Sequence, residues 1–300
     1  MKIASITIFC NESFRLEKWI EYYHAYKNEI FLHVIVNNGN KSDSDLLKKL
    51  FPESVVLDSY TKSLCTAYNI GLDYIQHCNM DIDSILFLGN DIEIEPETIS
   101  RLWKYLYSND KYGMVSPVVL EKNSDIIETY GADFKSFTLR FMHLDRGKKI
   151  SEVVAERVCG ALPGAINLSR RRFYEEIGNL DDDLFMYFDE VDIALRAKKA
   201  GYLLAVTSSC VVWHQHSNVG SSNVRNHMAA FFQGRNAIYI SRKYLGFIKI
   251  FCTVVSTLSE AIVTNAMIPF RKLSKYDIKY RNYYALGVFY GIVNTKKIPE

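Results

Sequence analysis

The sequence predicts an α/β protein in which a mostly parallel central sheet is flanked by helices and followed by a C-terminal helical extension. Short apolar runs rich in β-branched residues alternate with segments whose apolar residues recur at helical spacing, a pattern typical of parallel sheets. Polar residues follow several of these runs directly. Beyond residue 225 the pattern changes, and only helices are expected.

The composition allows one sizeable core and disfavours nucleic acid as a partner. Of the 300 residues, 48% are hydrophobic and 23% are charged, as in ordinary globular proteins. The formal net charge of +2 is unevenly spread. Residues 235–300 carry eleven Lys or Arg against three Asp or Glu, a net of +8, which leaves −6 for the first 234. An acidic body is a poor surface for nucleic acid.

The cysteines and the N-terminal residues indicate a cytoplasmic protein. Six cysteines are scattered without a Cys-x-x-Cys pair, so we expect reduced thiols rather than disulfides or a zinc site. Met1 and Lys2 lead directly into a strand-like run, without the apolar stretch of a secretory signal. Residues 244–270 are the longest apolar stretch, but their charges and hydroxyl groups make them fall short of a membrane span.

The first half of the chain supplies the predicted parallel strands and the helices between them. Strands are expected at residues 3–9, 32–36, 55–57, 85–88 and 113–120. Helices are expected at residues 15–26 and 63–75, and in a segment that runs to about residue 107 with Pro96 in its first turn. Residues 121–158 are polar and irregular, so hairpins or a loop are expected there.

The second half predicts a helix, two short strands and the helical extension. The helix is expected at residues 190–200, ended by Gly201, and two separate strands at residues 203–206 and 211–213. We therefore divide the chain into a domain of residues 1–225 and an extension of residues 226–300.

Polar clusters follow the strands at the points where ligands bind in parallel sheets, which are the carboxyl ends of the strands. These clusters are Asn11-Glu12, Asn37-Asn38-Gly39 and Gly89-Asn90-Asp91. A carboxylate such as Asp91 at the end of a buried strand can hold a divalent cation against a diphosphate. The same residue could instead be a turn residue or a helix N-cap.

Three acids, Asp189, Glu190 and Asp192, lie within four residues at the start of a predicted helix. Asp189 could cap the helix, and Asp192 could bond back as in a capping box or pair with Arg196 four residues later. These structural roles account for Asp189 and Asp192 but assign none to Glu190. A first-turn carboxylate that faces a cleft is a candidate general base.

Two histidines, His214 and His216, follow the apolar residues 211–213 at a predicted strand exit. A histidine at this position is often structural, but a His-x-His pair can also supply a metal ligand from one face. His214 is the stronger candidate.

Taken in order, these segments resemble the family-2 glycosyltransferases, the GT-A branch that includes bacterial rhamnosyl- and galactofuranosyl-transferases. The resemblance covers roughly residues 3–245, and its most specific stretch runs from Cys159-Gly160 to Trp213-His214. The segments that carry it are Ile3 to Glu12, Val36-Asn37-Asn38-Gly39-Asn40, Thr66 to Gly71, Gly89-Asn90-Asp91, Cys159-Gly160, Arg170-Arg171, Ile177 to Asp181, Tyr187, Asp189-Glu190-Val191-Asp192, Arg196, Gly201-Tyr202 and Trp213-His214.

The resemblance implies a GT-A fold and an inverting transfer of a hexosyl or deoxyhexosyl group. The donor would be a nucleoside-diphosphate sugar, with UDP or dTDP expected, and the acceptor a hydroxyl of a glycan or a lipid-linked sugar in bacterial surface polysaccharide synthesis. Mn²⁺ or Mg²⁺ would be held by Asp91 and His214, and Glu190, with Asp189 as fallback, would be the base. The implied donor-binding residues are Asn11, Glu12, Asn37, Asn38, Asn69, Asn90, Asp91 and Gly160.

The chain departs from the family pattern at three places, one of which is the base, where Glu190 stands in place of the usual Asp. Gly89 stands where the first acid of Asp-x-Asp is expected, and Asn37 replaces the acid that meets the nucleobase. Two rivals follow: a non-catalytic module that kept only the fold, and a nucleotidyltransferase-like enzyme. The second is disfavoured because the N-terminal region lacks a Gly-rich, Lys-bearing phosphate loop.

The basic helical tail allows peripheral contact with the inner face of a membrane. Basic residues near an anionic surface contribute about 1 kcal/mol each, and apolar residues between Phe247 and Ile268 would add interfacial burial. Packing of the tail on the body or on another subunit is the alternative.

Overall fold

The computed structural model describes residues 1–135, 139, 141–153, 156–215, 227–266, 275–295 and 298. The chain forms two compact units. Unit 1 comprises Met1–Asp133, His143–Leu180 and Ile193–His216, and unit 2 comprises Phe134–Met142, Asp181–Asp192 and Ser217–Glu300. The boundary expected at residue 225 stays a prediction. His216 lies outside the described residues.

Four parallel strands form one side of the sheet in unit 1. They are β1 (Ile3–Phe9), β2 (Leu32–Asn37), β3 (Val55–Asp58) and β4 (Ser84–Leu88). Their order in the sheet is β4-β1-β2-β3, and all of their pairings are parallel. The apolar runs of β1, β2 and β4 are buried on both faces, as is typical of parallel strands, whereas β3 is only partly buried. Their carboxyl ends therefore share one edge.

The other side of the sheet is mixed. β11 (Ile166–Arg170) runs antiparallel to β4 and to β6 (Tyr112–Glu121), and β6 pairs in parallel with β12 (Leu203–His214). The remaining strands of this sheet are short: β5 (Ile92–Ile94), β7 (Ile127–Thr129) and β10 (Arg157–Cys159). The short strands β8 (Ala132–Phe134) and β9 (Phe141–His143) do not belong to this sheet. The prediction of a mostly parallel α/β sheet is confirmed.

The prediction of two strands at residues 203–206 and 211–213 was wrong. β12 is one strand with an irregularity between Thr207 and Val211. Its neighbours on β6, Pro117 and Val118, are adjacent, so the extra residues of β12 bulge out of the ladder. The polar residues in this bulge have the sequence pattern of a loop, which is why two separate strands were predicted.

The helices of unit 1 cover the sheet. They are α1 (Leu16–Tyr26), α2 (Asp43–Leu50), α3 (Leu64–His77), α4 (Thr98–Tyr107) and α5 (Arg171–Ile177), while α6 (Asp189–Lys199) begins in unit 2 and ends in unit 1. The apolar side of α1 carries Trp19, which is buried against Phe9 and Phe51 at ring distances of 6.0 and 4.4 Å. Pro96 precedes α4 rather than lying in its first turn, because Glu97 is the N-cap.

Unit 2 contains three long helices, α7 (His227–Tyr244), α8 (Phe247–Ala266) and α9 (Lys275–Ile292). α7 and α9 approach each other through glycines. A Cβ on Gly234 would lie 2.6 Å from the carbonyl oxygen of Tyr284, and one on Gly287 would collide with the Phe231 backbone. The helices predicted beyond residue 226 are thus observed wherever the tail is described.

α8 is apolar and largely exposed. Phe247, Ile248 and Phe251 are 83%, 73% and 61% exposed. By length and composition, α8 is the one helix in the described part of the chain that could cross a membrane. This differs from the expectation for residues 244–270, because the helix itself holds only Lys249 and Glu260 as charged residues.

Candidate functional site

The carboxyl edge of the parallel strands brings together two of the three predicted polar clusters through direct hydrogen bonds. The side chain of Asn90, after β4, donates to Glu12, after β1, at 2.5 Å. Asn11 has a left-handed backbone with φ of 57°, and its side chain accepts from the backbone N–H of Asn40 at 2.9 Å. The loops after β1, β2 and β4 therefore form one connected polar edge.

Asp91 and His214 lie side by side, as the metal prediction requires. Strand β5 starts directly after Asp91 and pairs antiparallel with the end of β12, so that Ile92 lies opposite His214. His214 Nε2 is 3.2 Å from Asp91 Oδ2. Two donor atoms about 2.1 Å from one ion, at a right angle, are about 3 Å apart. The nitrogen–oxygen pair thus fits Mn²⁺ or Mg²⁺ in chemistry and in spacing.

Glu128, on β7, orients the His214 ring. Its carboxylate lies 3.1 Å from His214 Nδ1, on the opposite side of the ring from Asp91. A hydrogen bond from Nδ1 to a carboxylate fixes the tautomer that leaves Nε2 as a metal ligand. Among the described residues no group of three His, Cys, Asp or Glu could hold a metal.

Arg15 reaches the same carboxylate from the start of α1. Its guanidinium is 2.5 Å from Asp91 Oδ2 and 3.7 Å from Glu12 Oε1. The guanidinium is always charged and gives the edge a cation that suits a phosphate. Sequence reasoning missed Arg15, although its position three residues after Glu12 was a usable signal. It also missed Glu128, which lies 86 residues from His214 and shares no motif with it.

The pKa values of Asp91 and His214 reflect the charged groups that surround them. Burial alone would lower the pKa of His214, but the hydrogen bonds with Asp91 and Glu128 raise it to about 9. Burial alone would raise the pKa of Asp91, but His214 and Arg15 hold it below its usual range. Burial raises the pKa of Glu12 even though Asn90 and Arg15 counteract that rise. The contacts at this edge therefore favour the ionised carboxylate of Asp91 and the protonated ring of His214.

Asn37 and Asn38 are buried and hold the turn that they begin. The Asn37 amide donates to the Asn40 carbonyl oxygen and the Ser44 hydroxyl, both at 2.8 Å, and accepts from the Gly39 backbone N–H at 3.1 Å. Asn38 accepts from the Lys62 backbone N–H at 2.9 Å. These contacts shape the loop, and contact with a nucleobase stays a prediction for both residues.

Asn69 and Gly160 have clear structural roles in unit 1. Asn69 forms two hydrogen bonds of 2.9 Å with the backbone N–H and carbonyl oxygen of Leu180. Gly160 allows close packing of Asp133, whose side chain would collide with a Cβ at position 160. Their expected contacts with the donor stay predictions.

In unit 2, the chain that leads into Asp189 and Glu190 has an unusual backbone. Phe185, Tyr187 and Phe188 all have positive φ values, of 65°, 64° and 68°. Bulky residues rarely adopt this region, and such strain persists only where the surroundings impose it.

The side chain of Asn236, on α7, imposes that backbone. It is buried and donates to the carbonyl oxygens of Leu184, Met186 and Tyr187 at 3.0, 2.9 and 2.8 Å. Its neighbour Arg235 donates to the Leu184 carbonyl oxygen at 3.1 Å. We call residues 184–188 the clamped segment.

The three acids at the start of α6 have different surroundings. Asp189 is buried, and burial raises its pKa, whereas Glu190 is half-buried. Asp192 is fully buried and accepts from Lys243 at 2.9 Å and from Tyr244 at 2.5 Å. The sequence suggested Arg196 as the partner of Asp192, and the contacts to α7 were not foreseen.

Comparison with known proteins points to glycosyltransferases, although no family model matches the sequence. The chain is 30% identical over 92 residues to N-acetylglucosaminyl-diphospho-decaprenol L-rhamnosyltransferase of Mycobacterium tuberculosis, which covers 31% of this chain and 30% of that protein. It is 22% identical over 236 residues to the low-salt glycan biosynthesis hexosyltransferase Agl10 of Haloferax volcanii, covering 77% of this chain and 73% of that one. The match thus spans less than a third of the length of the mycobacterial relative.

Two solved structures share the architecture. GalNAc-T7, crystallised with UDP, GalNAc and Mn²⁺, superposes with a TM-score of 0.65 at 14% identity and covers 100% of this chain and 58% of its own. The mannosyltransferase PcManGT of Pyrobaculum calidifontis, in complex with GDP-Man and Mn²⁺, has a TM-score of 0.58 at 10% identity, covering 98% and 87%. The fold is that of the GT-A glycosyltransferases. This confirms the fold that the resemblance implied.

Within this GT-A fold, the local packing explains why Gly89 stands at the first position of the acidic motif. A Cβ at position 89 would lie 2.9 Å from Asp91 Oδ1 and 3.2 Å from Ile92 Cγ1. The space that a first acid would need is filled by the carboxylate of Asp91 itself. A side chain at position 89 would therefore have to displace the Asp91 carboxylate.

Proposed function

We propose that the chain is an inverting glycosyltransferase that moves a sugar from a nucleoside-diphosphate sugar to a hydroxyl group of an acceptor. The observation that carries the proposal is the Asp91–His214 pair, 3.2 Å apart at the carboxyl edge of a GT-A sheet. That edge is where α/β sheets bind their ligands. The names of the relatives, a rhamnosyltransferase and a hexosyltransferase, support a hexosyl or deoxyhexosyl donor.

The chain's own residues would bind and orient the donor at this edge. Asp91 Oδ2 and His214 Nε2 would hold Mn²⁺ or Mg²⁺, while Glu128 keeps the imidazole in the ligating tautomer. A bound divalent ion neutralises charge on the diphosphate as the nucleotide departs. Arg15 adds a fixed cation to the same edge. UDP or dTDP is the nucleotide we expect, with Asn11, Asn37 and the other predicted donor residues lining its site.

Glu190 would remove the proton from the attacking acceptor hydroxyl, with Asp189 as the fallback. Such a base contributes roughly 10² to 10⁴ in rate. Burial raises the pKa of Asp189, and a raised pKa strengthens a carboxylate as a base for as long as it stays ionised. Inversion at the anomeric carbon follows from a single attack on the face opposite the departing nucleotide.

The acceptor would be a glycan or a lipid-linked sugar in the synthesis of a bacterial surface polysaccharide. The mycobacterial relative is named for a diphospho-decaprenol substrate, and the haloarchaeal one for glycan biosynthesis. An enzyme that uses cytoplasmic nucleotide sugars and a lipid-linked acceptor would work at the inner face of the membrane.

A thermal-shift panel tests the donor half of the proposal. UDP, dTDP, GDP and CMP are each added with Mn²⁺, with Mg²⁺ and with chelator. A ligand at about 100 times its Kd stabilises by roughly 2.7 kcal/mol, which is several degrees in Tm. We expect a metal-dependent shift with one nucleoside diphosphate, and its loss in Asp91→Ala. The absence of any shift would favour a non-catalytic module instead.

The exposed side of α8 would make the membrane contact. Apolar residues 248, 251, 255, 258 and 262 recur at helical spacing and are exposed, while Thr253, Thr257 and Ala261 face the unit's interior. A helix with this pattern binds at the interface between lipid head groups and acyl chains. The basic residues of the tail would add attraction to anionic lipid.

Sedimentation with liposomes of phosphatidylglycerol and phosphatidylcholine tests this contact. The paired change Phe247→Ser and Phe251→Ser removes two large exposed rings and should lower the bound fraction about tenfold or more, since burying each ring is worth up to about 1.5–3 kcal/mol. Phe31→Ser is the matched control, because Phe31 is 55% exposed in unit 1. Equal binding of all three proteins would rule the contact out.

A further inference from the structure

Unit 2 contains a cavity of about 460 Å³. Its volume falls within the range of about 300–1,000 Å³ that small-molecule sites occupy. None of the predicted donor or metal residues lines it. The side chains that define its chemistry are Phe141, Phe188, Gln233, Glu260, Tyr280 and Tyr284.

The lining combines aromatic rings with hydrogen-bonding groups. The Tyr280 hydroxyl donates to Gln233 Oε1, and the Tyr284 hydroxyl donates to Glu260 Oε2, both at 3.2 Å. These two pairs place a carboxylate and an amide beside the hydroxyl groups of the two tyrosines. A sugar presents apolar C–H faces and a rim of hydroxyl groups, and it needs both kinds of partner. A carboxylate accepts up to about four hydrogen bonds, so Glu260 can accept ligand hydroxyls in addition to Tyr284.

Glu260 is the only acid in the twenty residues of α8, and it faces this cavity. Among the residues that the structure describes, Lys135 is the only cation that lines it. One carboxylate and one ammonium group leave the cavity near neutrality. A diphosphate needs several cationic groups or a metal ion. The cavity therefore suits an uncharged sugar and not a nucleotide.

The chain connects this cavity directly to the candidate bases. Phe188 lines the cavity, and Asp189 and Glu190 follow it in the sequence. Consecutive Cα atoms are 3.8 Å apart. A general base must come within about 3 Å of the hydroxyl group that it deprotonates, so a ligand in contact with Phe188 is near the residues that would activate it.

We propose that this cavity binds an uncharged sugar residue of the acceptor, an inference that rests on the glycosyltransferase function proposed above. Tyr280 and Tyr284 pack against the sugar ring, and Glu260 and Gln233 bind its hydroxyl groups. The sugar residue seated here is the part of the acceptor that the enzyme recognises.

Saturation-transfer NMR on the full chain tests the cavity without need of the natural acceptor. The probes are methyl β-D-glucopyranoside, methyl α-D-mannopyranoside and methyl N-acetyl-β-D-glucosaminide. Two variants probe the lining: Tyr280→Leu removes a ring, and Glu260→Gln keeps the shape but removes the charge of a side chain that lies exposed on α8. Tyr283→Leu is the matched control, because Tyr283 is a neighbouring tyrosine of α9 that does not line the cavity.

We expect at least one glycoside to receive saturation from the wild type and from Tyr283→Leu, with the signal reduced about fivefold or more in both cavity variants. The nucleotide–Mn²⁺ thermal shift should be unchanged in all four proteins. Equal signals in all four, or no signal from any glycoside while the nucleotide shift persists, would overturn this inference and leave the proposed function standing. Glycoside contact without any nucleotide shift would overturn the proposed function and, with it, the assignment of the sugar as an acceptor.

Discussion

The side-chain amide of Asn236 donates to the carbonyl oxygen of Tyr187 at 2.8 Å, so a buried residue of α7 fixes the backbone just before the candidate bases. The same amide also reaches Leu184 and Met186. Its hydrogen bonds offset the strain of three aromatic residues with positive φ.

Replacing this amide should be costly. Asn236→Leu removes the hydrogen bonds to three carbonyl oxygens, worth about 0.5–1.5 kcal/mol each, so we expect a loss of at least about 2 kcal/mol in the free energy of unfolding. Urea denaturation measures it. Asn265→Leu, which removes one partly buried hydrogen bond to Ala261, should cost less than about 1.5 kcal/mol. Similar losses in the two variants would show that Asn236 does not clamp the segment.

The base assignment predicts a separation of turnover from donor binding. Glu190→Gln should lower turnover by roughly 10² to 10⁴, because the amide cannot take a proton, while the nucleotide–Mn²⁺ thermal shift persists. Asp189→Asn should lower turnover less if Glu190 is the base. The reverse order would assign the base to Asp189, and loss of nucleotide binding in Glu190→Gln would count against both assignments.

Because Glu128 orients the His214 ring, we expect a change at Glu128 to weaken metal binding specifically. Glu128→Gln should weaken Mn²⁺ affinity about 10- to 100-fold, since partners that orient a ligating histidine have effects of this size. Titration of Mn²⁺ against the thermal shift of the nucleotide complex measures the change. Glu95→Gln, at an exposed acid of the same unit, is the control. Unchanged Mn²⁺ affinity in Glu128→Gln would remove Glu128 from the site.

Restoring the missing first acid should damage the metal site instead of improving it. In Gly89→Asp the new Cβ would be 2.9 Å from Asp91 Oδ1 and would push that carboxylate away from His214. We expect weaker metal-dependent nucleotide binding, and the same direction in Gly89→Ala, which adds the Cβ without a charge. Tighter Mn²⁺ binding in Gly89→Asp would show that Asp91 can yield this space.

His33 predicts how the stability of the sheet depends on pH. Its ring is buried between Thr7 and Ser54, and burial lowers its pKa to about 3. The unfolded state binds a proton below about pH 6.5 and the folded state does not, so stability falls as pH drops from about 6.5 towards 3, by up to about 1.4 kcal/mol per pH unit.

Urea denaturation at several pH values checks this. His33→Gln should be less stable than the wild type near pH 7.5, because buried hydrogen bonds are lost, but its stability should decline less between about pH 6.5 and pH 5. His24→Gln, at an exposed histidine of α1, should keep the wild-type slope. An unchanged slope in His33→Gln would contradict the linkage.

The sequence predicted most of the sheet because local pattern determines it. The strands at residues 3–9, 32–36 and 85–88 are short apolar runs, and each was found within one residue of its expected bounds. The proximity of Asp91 and His214 was also predictable, but only by resemblance. Glu128 and the Asn236 clamp were missed because their partners lie 49–86 residues away in the chain, where neither spacing nor periodicity carries information. Arg15 was missed although its contact Glu12 lies three residues before it.

The bulge in β12 determines which side chain meets Asp91. Between Thr207 and Val211 the strand advances four residues while β6 advances one, from Pro117 to Val118. Side chains alternate between the two faces of a strand, so the odd surplus exchanges the faces of everything that follows. The side chain that meets Asp91 is therefore that of His214 and not that of Trp213. Loss of a single residue from 208–210 would turn the imidazole away from the edge without altering any residue of the motif.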